Sequence, residues 1–479
     1  MSILAIDQGT SSTKALVVGE DGLVLATAEV PVHPVALADG GVEQDPEELW
    51  RSVVEAGRQA IAAAGEPVTA VGLANQGETV LAWDRQTGRP LSVALGWQDR
   101  RATDVCDRLV GQSERLQQIT GLPLDPYFAA PKMTRIRELI TRDGVVTTSD
   151  SWLVHRLTGK FVTDAATASR TLLLDLDRTA WSDDALAAFG LENEAMPAVV
   201  PCAGVIGETD AFGPTLPLTG LAVDQQAALF AEACHETGQA KCTYGTGAFL
   251  LANIGPVAHR SKSGLVTCVA WRLGNETTYC LDGQVYTAGA AVSWFEEVGL
   301  ISEPADLDKM GGSVTDTDGV IFVPGLAGLA APFWQPNARG AFVGLSLASS
   351  RAQMVRALID GLAAAVTALA RSAADDLGRP IERLRVDGGL TRSKTLMQVQ
   401  ADLLQAPIDV YPSPNATALG VAAFARIGSG DKQAGFDIAR NWTPVASYEP
   451  SISAAQAQEQ LARWGAAAEA TIKLGGERA

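Results

Sequence analysis

Three glycine-rich turns, each directly after a short apolar run, contain the residue types in this chain that could do chemistry. They read "DQGTSS" from residue 7, "YGTGAF" from residue 244 and "DGGLTR" from residue 387. Because glycine has no side chain, backbone N–H groups in such turns can approach an anion closely, and neighbouring hydroxyl groups add donors. Turns of this composition suit a phosphate group. The carboxylate of Asp7, beside the first turn, is a hard oxygen ligand of the kind that Mg²⁺ prefers.

A single turn of this kind is most often the bend of a structural β-hairpin, so the interpretation depends on the combination. Two commoner phosphate-binding fingerprints are missing from the sequence, because it has neither G-x-x-x-x-G-K-[ST] nor a strand-linked G-x-G-x-x-G. The sequence therefore disfavours P-loop and Rossmann enzymes.

Strands and helices alternate around the three turns, which predicts the α/β class. Residues 4–18 predict a hairpin of two apolar strands, and residues 240–254 repeat this strand, turn and strand. Residues 384–404 predict a strand, a Gly-Gly turn and a helix, and Asp45-Pro46-Glu47-Glu48 predicts the start of another helix.

The repeated hairpin favours two related lobes that face each other across a cleft. We expect an N-terminal lobe over residues 1–219 and a C-terminal lobe over residues 220–479, since a stretch rich in Gly, Pro and Thr precedes this boundary. The length of 479 residues is enough for two or three domains.

Composition excludes several classes of function. The net charge of −18 repels nucleic acid and anionic membranes, so neither is an expected partner. The N-terminus lacks the basic region of a secretory signal, and no apolar run reaches the ~20 residues that span a bilayer. We therefore expect a cytoplasmic protein without membrane insertion. The six cysteines form no C-x-x-C motif and are expected to be buried free thiols.

Over nearly its whole length the chain resembles the FGGY family of carbohydrate kinases in the actin-like ATPase superfamily, and within it the glycerol kinases. The resemblance implies two lobes, each with a ribonuclease-H-like core, and an active site in the cleft between them. It further implies transfer of phosphate from ATP, with Mg²⁺, to a terminal hydroxyl of a small polyol or sugar, first of all glycerol to glycerol 3-phosphate. Relatives form homodimers or homotetramers, and the sequence does not choose between these states. Nine segments carry the resemblance in order: "AIDQGTSSTKALV", "NQGETVLAWDRQTGRP", "WQDRR", "GLPLDPYF", "DSWLVHRLTG" with "TDAATASRTLL", "DQQAALF", "TYGTGAFLL", "FVPGLAGLAAPFWQPNARGAFVGL" and "VDGGLTRSKTLMQVQADLL".

The resemblance assigns roles to individual residues. Phosphoryl transfer needs positioning, neutralisation of the phosphate charge and a group that accepts the proton of the attacking hydroxyl. Asp224 matches the catalytic base, although an aspartate before "QQAALFAEA" is also a good helix N-cap. Asp7 would hold Mg²⁺. The expected substrate-binding residues are Gly77, Glu78, Trp97, Tyr127, Asp224, Gln225 and Phe249. The expected nucleotide-binding residues are Thr10, Ser11, Ser12, Lys14, Gly245, Thr246, Gly247, Gly388, Gly389 and Ser393.

Three positions depart from the glycerol kinase pattern. Lys14 stands at a usual arginine, which keeps the charge and loses the bidentate geometry, and Ser393 stands at a usual asparagine. Gly77 also stands where an arginine is usual. The absence of that arginine removes up to five donors and a positive charge. Either glycerol binds more weakly, or the vacated space admits erythritol, a pentitol or a small ketose such as xylulose. A catalytically weak sugar-binding sensor is the alternative from another class.

Overall fold

The computed structural model describes residues 1–476, and within them the chain forms twenty-four strands and fourteen α-helices. The strands are β1 (Ser2–Gln8), β2 (Ser12–Val18), β3 (Val24–Pro31), β4 (Val35–Ala36), β5 (Val42–Gln44), β6 (Val68–Asn75), β7 (Val80–Trp83), β8 (Ala94–Leu95), β9 (Val145–Thr148), β10 (Val162–Asp164), β11 (Leu174–Asp175), β12 (Ala180–Trp181), β13 (Ala198–Val200), β14 (Ala203–Thr209), β15 (Leu216–Val223), β16 (Ala240–Tyr244), β17 (Ala248–Gly255), β18 (Val266–Leu273), β19 (Glu276–Val285), β20 (Ile321–Val323), β21 (Ala341–Val343), β22 (Leu384–Asp387), β23 (Ile408–Val410) and β24 (Ala446–Tyr448). The helices are α1 (Pro46–Ala64), α2 (Thr103–Leu109), α3 (Ser113–Thr120), α4 (Ala129–Leu139), α5 (Ser149–Thr158), α6 (Ala165–Ala168), α7 (Asp183–Ala188), α8 (Asp224–Ala231), α9 (Gly289–Glu297), α10 (Arg351–Leu377), α11 (Lys394–Leu404), α12 (Ala416–Gly428), α13 (Lys432–Arg440) and α14 (Ala454–Gly476).

One sheet of thirteen strands runs through both halves of the chain, in the order β24-β23-β22-β16-β17-β19-β18-β14-β15-β6-β1-β2-β3. In the N-terminal half, β2 pairs antiparallel with both β1 and β3, while β1, β6 and β15 are parallel neighbours. In the C-terminal half, β17 pairs antiparallel with both β16 and β19, while β16, β22 and β23 are parallel neighbours. The same five-stranded unit therefore occurs twice. This confirms the predicted α/β fold of two related halves, each with a ribonuclease-H-like core.

The predicted helix start at Asp45 is confirmed. The Asp45 side chain accepts a hydrogen bond from the backbone N–H of Glu47 at 3.0 Å, and Pro46 occupies the first helical position. The helix α1 ends at Gly65, whose φ of 72° lies in the left-handed region that favours glycine. Its apolar face packs on the sheet of the N-terminal half.

The helix α12 lies late in the sequence but packs on the N-terminal sheet. A Cβ atom at Gly72 in β6 would come within 2.6 Å of the carbonyl oxygen of Val421, and one at Gly220 in β15 within 2.6 Å of the backbone nitrogen of Ala425. These two strands therefore need glycine where the helix backbone crosses them. The close approach joins the C-terminal part of the chain to the strands that lead into the site described below.

The helix α10 is long and apolar enough to cross a membrane by length and composition alone. In its most apolar window, however, 72% of the residues are buried inside the protein. It begins with a capping box between Ser350 and Gln353 and buries Leu358, Leu362 and Leu369. It is a core helix of the C-terminal half.

The cysteines behave as predicted. All six are buried free thiols. Among residues 1–476, no group of three or more His, Cys, Asp or Glu side chains is arranged to hold a metal ion.

Candidate active site

Three parallel strands of the N-terminal half end at the same edge of the sheet. The register pairs Gln8 at the end of β1 with Asn75 at the end of β6, and Asn75 with Val223 at the end of β15. Asp7 precedes Gln8, and Asp224 follows Val223 directly. The carboxyl ends of parallel strands are where α/β proteins commonly bind ligands. The two aspartates predicted to act on the metal and on the alcohol therefore lie at one edge.

The carboxyl group of Asp7 lies in a strongly anionic environment. Burial raises its pKa to about 7, and the negative charges of Asp224 and Asp387 add to this effect, while the ammonium group of Lys14 opposes it. Asp387 ends β22 in the C-terminal half, so carboxylates from both halves converge here. Its Oδ1 atom is buried and has no hydrogen-bond partner among the described residues.

Asp224 begins the helix α8, and Val223, not Asp224, occupies the N-cap position. Its Oδ1 atom accepts a hydrogen bond of 2.7 Å from the backbone N–H of Gln225. Burial raises the pKa of Asp224, whereas this hydrogen bond and the ammonium group of Lys241 lower it. Lys241 is fully buried and donates to Gln225 Oε1 at 2.6 Å and to Thr243 Oγ1 at 2.7 Å. Lys241 thus holds the Gln225 side chain and stabilises the ionised form of Asp224.

A cavity of about 230 Å³ opens beside Asp224. All seven residues predicted to bind the substrate line it, although they come from distant parts of the chain. The first glycine-rich turn reaches it through Thr10 and Ser11, and the second through Gly245 and Thr246. The predicted substrate residues in its wall are Gly77, Glu78, Trp97, Tyr127, Asp224, Gln225 and Phe249. Five further lining residues were not assigned from the sequence: Arg170, Val223, Gln226, Thr243 and Asp282.

Three aromatic side chains form one wall of this cavity. The ring centroid of Trp97 lies 5.9 Å from that of Tyr127 and 5.9 Å from that of Phe249, both in edge-to-face arrangements. The indole Nε1 of Trp97 donates to Thr10 Oγ1 at 2.9 Å. The wall offers an apolar surface to a carbon chain and is tied to the first glycine-rich turn.

Glu78 reaches the cavity from an unusual backbone conformation. Its φ of 57° lies in the left-handed region, which costs a residue other than glycine on the order of 1 kcal/mol. Burial raises the pKa of Glu78, while the positive charges of Arg170 and Lys132 lower it. Arg170 Nε donates to Glu78 Oε1 at 2.5 Å. The turn and the ion pair together fix this carboxylate in the cavity wall.

Arg170 is the functional candidate that sequence reasoning missed. It follows α6 and is almost completely buried, and its Nη1 atom donates to Asp282 Oδ2 on β19 at 2.6 Å. One local signal could have found it. The stretch "AATASRTLLL" contains a single charged residue among small and apolar ones, and such a charge must be paired when it is buried.

A larger cavity of about 1070 Å³ lies next to the first, on the C-terminal half. Gly245 and Thr246 line both cavities, and the predicted residues Gly389 and Ser393 line only the larger one. The Ser393 hydroxyl donates to Asp308 Oδ1 at 2.9 Å. A long ligand in the larger cavity could therefore extend one end past the second glycine-rich turn towards Asp224.

Two of the predicted nucleotide-binding glycines lie outside both cavities and shape the turns instead. The carbonyl oxygen of Gly247 accepts the N–H of Gly245 at 2.9 Å. Gly388 has a φ of 95°, and a Cβ atom there would lie 2.4 Å from the carbonyl oxygen of Tyr244. The third turn is thus packed against the strand that leads into the second.

Ser12 and Lys14 also lie outside the two cavities. The Ser12 hydroxyl donates to Glu29 Oε1 at 2.7 Å. Lys14 stands opposite Asp7 in the β1–β2 hairpin, so its charge acts on the carboxylate beside the first turn.

Two adjoining cavities share a glycine-rich turn, and carboxylates from both halves of a duplicated fold meet beside them. This arrangement defines a two-lobed phosphotransferase of the actin-like ATPase fold. The chain belongs to the FGGY family of carbohydrate kinases, because the family's N-terminal domain matches residues 2–231 and its C-terminal domain matches residues 240–429.

Individual relatives agree with this assignment. The chain is 40% identical over 489 residues to a glycerol kinase from Bordetella parapertussis, with 98% of this chain and 96% of the relative covered. It is 37% identical over 480 residues to glycerol kinase 2 from Thermotoga maritima, with 96% and 97% covered. The crystal structure of Plasmodium falciparum glycerol kinase with ADP matches with a TM-score of 0.90 at 29% identity, over 98% of both chains. A ligand-bound xylulose kinase from Lactobacillus acidophilus has the same fold, with a TM-score of 0.90 at 21% identity over 100% of both chains.

Proposed function

We propose that this kinase transfers the γ-phosphate of ATP to a terminal hydroxyl of a small neutral polyol, with glycerol as the first candidate. The observation that carries the proposal is the 230 Å³ cavity, in which Asp224, Glu78 and the aromatic wall meet the second glycine-rich turn. The cavity lining has three carboxylates, those of Glu78, Asp224 and Asp282, against the single guanidinium group of Arg170. Its charge therefore opposes an acidic substrate such as a sugar acid.

The larger cavity supports the assignment of ATP as phosphate donor. Its volume of about 1070 Å³ suits a nucleotide, and the shared residues Gly245 and Thr246 would bring the phosphates towards Asp224. The Plasmodium falciparum relative was solved with ADP. We assign Gly389 and Ser393 to the nucleoside end of this site.

The residues present also fit Mg²⁺. Asp7 and Asp387 stand at the first and third glycine-rich turns, and the charge of Asp387 acts on the Asp7 carboxyl group. The Oδ1 atom of Asp387 lacks a partner among the described residues. Mg²⁺ is usually held by one or two carboxylates with water and phosphate oxygens, which agrees with this small donor set. When bound, Mg²⁺ would neutralise phosphate charge.

The roles of the protein groups follow from their chemistry. Asp224 would accept a hydrogen bond from the reacting hydroxyl and take its proton as the oxygen attacks the γ-phosphorus. Lys241, behind it, favours the ionised carboxylate that this role needs. Trp97 and Phe249 would pack against the carbon chain, and Glu78 would accept a hydrogen bond from a second hydroxyl.

Gly77 supports a second candidate, a longer polyol such as erythritol or a pentitol, or a small ketose. It lines the cavity without a side chain, and a Cβ atom there would meet Val223 Cγ2 at 3.1 Å as its nearest neighbour. The open space and the absent donors at this position favour a substrate longer than glycerol.

A kinetic panel tests the proposal. ADP release is measured with glycerol, erythritol, pentitols and ketopentoses, with Asp224→Asn as the matched control. We expect release that depends on one of the neutral substrates. The kcat of Asp224→Asn should be about 10²- to 10⁴-fold lower than that of the wild type, which is the usual contribution of a general base, and this variant should still bind ADP. Slow hydrolysis that no substrate stimulates would contradict the proposal and favour a sugar-binding sensor.

We also place this activity in the cytoplasm, in a homodimer or homotetramer. The support is the family assignment together with the buried position of α10. The mass of the purified protein in solution, measured by light scattering, tests the oligomeric state, and a monomer would contradict it.

A further inference from the structure

Arg170 joins the two halves of the protein at the floor of the substrate cavity. It lies within the match to the N-terminal family domain, as does Glu78, whereas Asp282 lies within the match to the C-terminal domain. The guanidinium group contacts both carboxylates, at 2.5 Å and 2.6 Å. The backbone beside it is also fixed, since the Ser169 hydroxyl accepts a hydrogen bond of 3.0 Å from the N–H of Val269 on β18.

The hydrogen bonds of this guanidinium group use four of its five N–H donors. Nε donates to Glu78, Nη1 donates to Asp282 and contacts Cys268 Sγ at 3.8 Å, and Nη2 donates to the Tyr127 hydroxyl at 3.2 Å. One N–H of Nη2 is left over. Among the residues that line the cavity, all within the described chain, Arg170 is the one with a positive charge.

These contacts determine the hydrogen-bonding roles of two neighbours. Glu78 uses Oε1 for Arg170, and Oε2 has no donor among residues 1–476, so it stays an acceptor in the cavity wall. The Tyr127 oxygen accepts from Nη2, so its own proton points elsewhere and can be donated. Burial and the charge of Glu78 raise the pKa of Tyr127 well above its usual value, which keeps that proton in place.

We propose that Arg170 is the residue that determines specificity for a substrate hydroxyl, because it fixes Glu78 as acceptor and Tyr127 as donor at one point of the cavity. A hydroxyl can donate to Glu78 and accept from Tyr127, whereas an analogue without it leaves Glu78 Oε2 and the Tyr127 hydroxyl proton without partners. A site built in this way rejects the deoxy analogue strongly. Arg170 acts through its two neighbours and is a positioning residue. The inference rests on the proposed function and names the substrate feature that the site reads.

The charge balance decides which variants test this role. Removing Arg170 alone would leave two buried carboxylates without a counter-charge, which destabilises a protein strongly. The double variant Arg170→Gln/Asp282→Asn keeps the net charge of the group at −1. Tyr127→Phe removes only the donor and leaves the ion pairs. Arg137→Gln is a control for the loss of an arginine–carboxylate pair away from the cavity, since Arg137 forms a largely buried bidentate pair with Glu194 elsewhere in the N-terminal half.

The experiment compares each variant on glycerol, 1,2-propanediol and 1,3-propanediol, and on the best substrate of the kinetic panel. In the wild type we expect one diol to be rejected by at least about 100-fold in kcat/KM relative to glycerol. The double variant and Tyr127→Phe should each reduce this ratio by about 10-fold or more, with the KM for ATP within about twofold of the wild type. Arg137→Gln should lower the unfolding temperature and leave the ratio unchanged.

A parallel measurement of sugar binding by tryptophan fluorescence, without nucleotide, separates this inference from the proposed function. If the wild type phosphorylates a polyol and both site variants keep its discrimination, the role of Arg170 is wrong and the kinase activity stands. If the wild type binds a neutral polyol without phosphorylating it, the kinase proposal is wrong. The role of Arg170 is then tested by binding alone, because the site variants should lose the difference in affinity between the polyol and its deoxy analogue. If the wild type binds none of these compounds, both the kinase proposal and the role of Arg170 are wrong.

Discussion

Substitution of Gly77 by arginine tests how the cavity chooses its substrate. Gly77 lines the cavity of about 230 Å³ and contributes no side chain to it. An arginine side chain from this position would fill part of that space and add N–H donors beside three carboxylates. A charge-assisted hydrogen bond contributes about 1.5–3 kcal/mol, which corresponds to about 10- to 150-fold in kcat/KM.

We therefore expect Gly77→Arg to raise kcat/KM for glycerol by about that factor and to lower it for erythritol and pentitols, which need the filled space. The substitution should also reduce the stability of the fold by about 1 kcal/mol, because the new Cβ atom meets Val223 Cγ2 at 3.1 Å. Gly77→Ala isolates this cost, because it adds the same Cβ atom without the donors.

The assay is a coupled measurement of ADP release with glycerol and erythritol for the wild type and both variants. The informative quantity is the ratio of the two kcat/KM values, which does not depend on the fraction of active protein. If Gly77→Arg and Gly77→Ala have the same ratio, position 77 does not select the substrate, and the reasoning from the open space is wrong.

Two further predictions concern the nucleotide site and a buried carboxyl group. Gly388→Ala should raise the KM for ATP and destabilise the fold by about 1–3 kcal/mol, because the new Cβ atom would lie 2.4 Å from the Tyr244 carbonyl oxygen at a φ of 95°. Gly389→Ala meets nothing within 4 Å and should leave stability unchanged, so equal unfolding temperatures for the two variants would contradict this account. The pKa of Asp164 is raised to about 7, first by burial and then by Asp150, so the folded state holds this proton more tightly than the unfolded state. The stability that this group contributes is present below about pH 4 and is lost as the pH rises through 7. Asp164→Asn should therefore gain stability relative to the wild type over this range, on the order of 4 kcal/mol in urea unfolding, and a difference independent of pH would refute it.

The local features of the fold could be predicted from the sequence because each depends on neighbouring residues. The first hairpin, the helix start at Asp45 and the repeated strand, turn and strand at residues 240–254 all follow from turn chemistry, capping and periodicity. These are short-range effects that the chain carries within about ten residues. The resemblance to a family then grouped the residues that are predicted to bind substrate, and all of them line one cavity.

The tertiary structure alone decided how the site is held together. Glu78 and Arg170 are 92 positions apart, and Arg170 and Asp282 are 112 apart, so no local pattern links them. Their pairing depends on how distant elements are arranged in space, because Glu78 follows β6, Arg170 follows α6 and Asp282 lies on β19. A buried charge needs a partner for energetic reasons, and the sequence shows that need without showing which residue meets it. Only the folded chain brings the partner within hydrogen-bonding distance.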